Sequence, residues 1–126
     1  MPLFDSNILI DYLRDRPDAV SLIHTRKNHK QGLTSSVICR AEVLNGMRPG
    51  EEKETRSFLN HFARFDVTKE ITEASSKYFR EFNPSHGIDM FDSLIAGTAL
   101  VHNLELYTAN QKHYPMNDIL ISQPYS

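Results

Sequence analysis

Pro2-Leu3-Phe4-Asp5-Ser6-Asn7-Ile8-Leu9 opens the chain, and its reading decides the fold. Three apolar residues make a short strand that ends at Asp5. Ser6 or Asn7 then caps a helix in which Ile8, Leu9, Tyr12 and Leu13 recur at helical spacing. The same alternation continues downstream. Pro17 stops the first helix, and a second short one fits Ala19, Leu22 and Ile23. Gly32-Leu33-Thr34-Ser35 reads as a weak second strand, before a helix capped by Ser35 or Ser36 and ended by Gly46, Pro49 and Gly50. Glu51 to Phe62 has a helical pattern with Phe58, Leu59 and Phe62 inward, and Phe65-Asp66-Val67 fits a third strand. Thr68 caps a helix with a stripe of Ile71, Ala74, Tyr78 and Phe82, which Asn83-Pro84-Ser85-His86-Gly87 is expected to break. A further helix runs from about Asp89 to His102, followed by strands at Leu104 to Tyr107 and Ile119 to Ile121.

Strands separated by helices imply a mostly parallel sheet covered on both faces, because a parallel connection needs a crossover and a helix usually supplies it. The expected architecture is a three-layer α/β/α sandwich with a mostly parallel central sheet. In such sheets ligands collect beyond the carboxyl ends of the strands. Asp5, Ser35-Ser36 and Thr108 to Asn110 all follow strands and should share that edge.

At 126 residues, with 40% hydrophobic and 24% charged residues, the chain is expected to form one domain, 1–126, with a real core. The single cysteine, Cys39, excludes an intrachain disulfide and a cysteine-rich zinc cluster. Neither a secretory signal nor a run of transmembrane length is visible, so a soluble cytoplasmic protein is expected. The net charge of -2 argues against a stand-alone, high-affinity nucleic-acid binder. A local basic patch nevertheless gathers His24, Arg26, Lys27, His29 and Lys30. It reads either as the cationic end of a helix or as a surface for a phosphate backbone. The six histidines show no paired spacing on a shared helix that would favour zinc.

Three acids stand in apolar company: Asp5 at the strand end, Glu42 beside the inward face of its helix, and Asp92 on a stripe with Ile95, Ala96 and Ala99. Burying ionised carboxylates is costly unless something pairs with them, and one divalent cation can serve three at once. Each acid also has an ordinary role open to it. Asp5 can join a cap, Glu42 can be solvated, and Asp92 can be a first-turn acid three residues after an Asp89 cap. For Asp92 both roles can hold together.

Four segments carry a resemblance: Asp5-Ser6-Asn7-Ile8-Leu9-Ile10-Asp11, Ser36-Val37-Ile38-Cys39-Arg40-Ala41-Glu42, Asp92-Ser93-Leu94-Ile95-Ala96-Gly97-Thr98-Ala99 and Thr108-Ala109-Asn110-Gln111-Lys112-His113-Tyr114. In order and spacing they resemble the signature segments of PIN-domain ribonucleases, most closely the VapC-type toxins of toxin-antitoxin pairs. The resemblance implies a PIN-like fold and a Mg2+- or Mn2+-dependent endoribonuclease that acts on RNA. It further implies a homodimer silenced by a VapB-like antitoxin. It assigns Asp5, Glu42 and Asp92 to the acidic metal-binding centre, with Asn110 at the fourth position through a water-mediated contact. Ser6, Asn7 and Thr108 match small polar residues that support the ligands. Two departures stand out: Cys39 replaces a frequent threonine, and Asn110 leaves three formal acids, to which Asp89 can add a charge. Arg26, Lys27, Lys30 and His113, the last together with Tyr114, are the candidate RNA contacts.

Competing readings are a housekeeping PIN-type RNA-processing nuclease and a non-cleaving PIN-like binding module. A haloacid-dehalogenase-type phosphatase would need an aspartate where this chain has Asn7. A receiver domain would need its phosphoacceptor after the third strand, whereas Asp66 sits within it.

Overall fold

Parallel pairing runs through every strand of the structure, a computed structural model that describes residues 1–126. In chain order the elements are β1 (Pro2–Phe4), α1 (Ser6–Leu13), α2 (Pro17–Asn28), β2 (Thr34–Ser36), α3 (Val37–Asn45), α4 (Glu52–Leu59), β3 (Ala63–Phe65), α5 (Lys69–His86), α6 (Met90–His102), β4 (Glu105–Tyr107) and β5 (Ile121–Ser122). A single 3-10 turn covers Gln111–His113. The strands form two ladders, β1-β4-β5 and β2-β3. Ser35 Oγ donates to the Phe4 carbonyl at 2.8 Å and joins the ladders side by side, giving the order β3-β2-β1-β4-β5.

All three residues of β1 and all three of β2 are buried. Successive side chains on a strand point to opposite faces, so the sheet is covered on both sides and the fold is the expected α/β sandwich. Leu3, Phe4, Ile8, Leu9, Ile95 and Leu106 make the centre of the core, each 1% exposed or less. Helices α5 and α6 pack against each other at close range. A Cβ on Gly97 would stand 3.0 Å from the Ile71 carbonyl oxygen and 3.1 Å from Ser75 N, so any larger residue there would have to push the α5 backbone aside.

Several boundaries differ from the sequence reading. Pro17 begins α2 at its first position, where a missing N–H costs nothing. Helix α4 stops at Leu59, and Phe62 is buried from the following turn. Strand β3 lies at 63–65, two residues earlier than expected, because the Thr68 side chain caps α5 and draws Asp66 and Val67 into its approach. Pro84 lies inside α5 without breaking it. It has no N–H to offer the Arg80 carbonyl, yet the helix runs on and ends at Gly87 with φ 65°. The last strand falls at 121–122 rather than 119–121.

Candidate active site

Register places the first acid. In the β1-β4 ladder Phe4 lies opposite Tyr107, and Asp5 N continues it by donating to the Tyr107 carbonyl at 2.8 Å. Asp5 therefore comes to rest beside Thr108, at the carboxyl edge of both strands. The Asp5 side chain caps α1 by accepting from Ser6 N at 2.7 Å through Oδ1. Its Oδ2 accepts from Thr108 Oγ1 at 2.9 Å and from the Tyr114 hydroxyl at 2.8 Å. The cap and the site are thus the same carboxylate, which is 4% exposed.

Ser6 extends the group to α3 by donating its hydroxyl to Glu42 Oε1 at 3.1 Å. One ligand atom from each of Asp5, Cys39 and Glu42 lies within 4.8 Å of the other two. Asp92 arrives from the first turn of α6, whose amino end lies at the same edge because the helix runs back into β4. Asp89 caps α6 by accepting from Asp92 N at 2.7 Å, so the capping role belongs to Asp89 and the Asp92 carboxylate is left free. The one hydrogen-bond contact of that carboxylate is with the Tyr114 hydroxyl, 3.5 Å from Asp92 Oδ1.

A second ring of polar groups fixes the loop after β4. Asn7 Nδ2 donates to Thr108 Oγ1 at 3.1 Å, while Asn7 Oδ1 accepts from Ala109 N at 3.1 Å. Asn110 N also donates to Thr108 Oγ1, at 3.2 Å. The Asn110 side chain caps the 3-10 turn and meets His113 Nε2 at 3.1 Å.

Crowding of like charges marks this edge. Burial raises the Asp5 carboxyl above its ordinary range, opposed by hydrogen bonds from Tyr114, Thr108 and Ser6. Burial also raises Asp92, to about 6, with Asp89, Asp5 and Glu42 adding repulsion. Glu42 is raised by burial, with Asp5 and Asp89 contributing. Burial and the charge of Asp5 push the Cys39 thiol up to about 12, so it stays protonated. The Tyr114 hydroxyl is raised well above its normal range by burial and then by Asp5 and Asp92, which keeps it a donor.

This donor set fits a hard divalent cation. Carboxylates carried by three elements face the same edge, each harder to ionise than in water. The acidic cluster can therefore hold a divalent ion, with Asp5 and Glu42 offering oxygens within 4.8 Å of each other and Asp92 close enough to feel their charge.

Of the residues singled out in the sequence, Asp5, Ser6, Asn7, Glu42, Asp89, Asp92, Thr108 and Asn110 gather at this edge, with His113 beside Asn110. The basic stretch does not join them. Arg26 donates to the Gly32 carbonyl through both Nε and an NH2 group, beside Met1 at the amino edge of the sheet. Lys27 lines a separate groove of about 670 Å³ with Tyr12, His24, Phe58 and His61, and Lys30 is exposed in the loop after α2. Tyr114, offered by the sequence with His113 as an RNA contact, is instead buried with its hydroxyl on Asp5. Its place in the fourth signature segment was visible, but nothing in a sequence shows a phenol folding back onto Asp5.

Comparison with known proteins agrees with this geometry. The PIN domain family model matches residues 3–118. Ribonuclease VapC19 of Mycobacterium tuberculosis is 35% identical over 117 residues, covering 92% of this chain and 94% of the relative. Ribonuclease VapC10 of the same species is 37% identical over 118 residues, covering 92% and 87%. Among solved structures, a toxin-antitoxin complex from Klebsiella pneumoniae superposes with a TM-score of 0.81 at 29% identity, covering 99% of this chain and 98% of that one. Fold and site define a PIN architecture with an acidic cluster at its sheet edge. The chain belongs to the PIN-domain family and, within it, to the VapC proteins.

Proposed function

We propose that this chain is a metal-dependent endoribonuclease, the toxin of a toxin-antitoxin pair, and that residues 1–126 act as one nuclease domain. The observation that carries the reading is the convergence of Asp5, Glu42 and Asp92 from β1, α3 and α6 at one sheet edge. The likeness to VapC ribonucleases supports it. The ion is Mg2+ or Mn2+, since carboxylate oxygens favour a hard cation. When bound, such an ion polarises the scissile phosphate and supplies an acidified water.

The chain's own residues prepare that chemistry. Asp5 is held in one orientation by Ser6 N, Thr108 and Tyr114, so a ligand oxygen needs no reorganisation when the ion arrives. Glu42, half-buried and with its basicity raised, is placed either to hold the ion or to orient the attacking water. Asn7 and Thr108 tie the loop after β4 to α1, which keeps Asn110 and His113 beside the acids. His113, exposed at the rim, is the candidate contact with RNA phosphate. Arg26, Lys27 and Lys30 can only serve a distant part of a long RNA.

A VapB-like antitoxin is the expected partner, supported by the toxin-antitoxin complex among the structural neighbours. The working form is a cytoplasmic homodimer. No helix is long and apolar enough to cross a membrane. The test is cleavage of single-stranded RNA by the purified chain: activity with Mg2+ or Mn2+ that EDTA abolishes without unfolding supports the reading. Equal cleavage in EDTA would sink it.

A further inference from the structure

We propose that Tyr114 is a positioning residue for the metal-binding carboxylates: its hydroxyl, 2.8 Å from Asp5 Oδ2 and 3.5 Å from Asp92 Oδ1, fixes how the two acids face each other and so sets the affinity of the centre for a divalent ion. This inference rests on the metal reading above and deepens it.

The geometry is specific to the hydroxyl rather than the ring. Tyr114 is 4% exposed and its ring belongs to the hydrophobic core, so the oxygen is held at one place by packing alone. That place is the gap between a carboxylate on β1's end and another on the first turn of α6. A phenol has one proton to give. The shorter contact takes it, so Asp5 is the acceptor and Asp92 faces the hydroxyl oxygen at longer range. Of the oxygens on Asp5, Oδ2 is filled by Thr108 and Tyr114, while Oδ1 carries the short bond from Ser6 N. The two hydroxyls therefore decide the rotation of the Asp5 carboxylate about its last bond. Without Tyr114, Oδ2 keeps a single side-chain partner, and the gap between Asp5 and Asp92 loses the oxygen that spaces the two carboxylates. Groups that orient metal ligands in this way typically matter 10- to 100-fold in metal affinity, roughly the effect expected here.

Tyr114→Phe removes the oxygen and leaves the ring. The experiment titrates Mn2+ into the wild-type chain, Tyr114→Phe and Asp92→Asn, following free Mn2+ by electron paramagnetic resonance and checking the fold by circular dichroism. The wild type is expected to bind, Asp92→Asn to lose most binding, and Tyr114→Phe to bind roughly 10- to 100-fold more weakly while folded. If Tyr114→Phe is marginal without metal, melting in rising Mn2+ reads the same constant from the concentration at which Tm begins to climb. A Tyr114→Phe affinity equal to the wild type or tighter, with Asp92→Asn impaired, overturns the role of Tyr114 and leaves the metal centre standing. No Mn2+ uptake by the wild type overturns both.

Discussion

Thr108 and Asp5, 103 residues apart in sequence, meet through a 2.9 Å hydrogen bond at the carboxyl edge of neighbouring strands. The Thr108 hydroxyl is fully used there: it gives its proton to Asp5 and accepts from Asn7 Nδ2 and Asn110 N. Thr108→Val keeps the shape and deletes all three bonds. It should lower stability by about 1 to 3 kcal/mol, the usual cost of stranding a buried polar group, with most of the loss at Asp5. Urea denaturation measures this, and a midpoint equal to the wild type would show that the network contributes nothing.

The raised acids give the metal-free chain an inverted pH dependence. Asp5, Glu42 and Asp92 all bind protons more readily folded than unfolded. Their contribution to stability is therefore fully present below the unfolded carboxylate range and is lost as pH rises, through about 6 for Asp92. In EDTA the urea midpoint should be higher near about pH 5 than near about pH 7.5, and Mg2+ or Mn2+ should restore the midpoint at the higher pH. A midpoint that rises with pH in EDTA would contradict the crowding of these carboxylates.

Gly97→Ala probes the helix pair behind the site. The new methyl would press on backbone atoms of Ile71 and Ser75 at 3.0 and 3.1 Å, and backbone gives way poorly. Overpacking of this kind costs about 1 to 3 kcal/mol, and the thermal midpoint should fall accordingly.

Cys39 should be chemically silent. Its thiol is buried and held protonated by its surroundings, so iodoacetamide should label it only after denaturation. Rapid labelling of the folded chain, read by mass spectrometry, would mean that the edge around Asp5 opens readily.

Much of this was legible in the sequence because local signals and tertiary demands coincide. Apolar Pro2 to Phe4 specified β1 and put Asp5 at its end, although the cap of α1 is Asp5 itself rather than Ser6 or Asn7, and the stripe below Asp92 turned its carboxylate inward. Where signals compete, reading fails. Val67 looks like strand, yet the Thr68 cap claims that stretch and moves β3 to 63–65. Pro84 looks like a breaker, yet α5 continues through it to Gly87. Closeness along the sequence does not bring the basic residues to the acids: Arg26 is turned to the Gly32 carbonyl and the Phe4 ring, and Lys27 lines a separate groove. Tyr114 shows the converse, a contact made only by the return of the chain after β4, for which no local pattern exists.

The most direct test compares RNA cleavage by the wild-type chain and Asp92→Asn in Mg2+, with the urea midpoint of each in EDTA. Asparagine keeps the size of the side chain and removes its charge, which relieves repulsion from Asp89, Asp5 and Glu42. The account predicts loss of nearly all cleavage with metal-free stability equal to or above the wild type. An active but destabilised Asp92→Asn would contradict it, reducing Asp92 to a first-turn acid of α6.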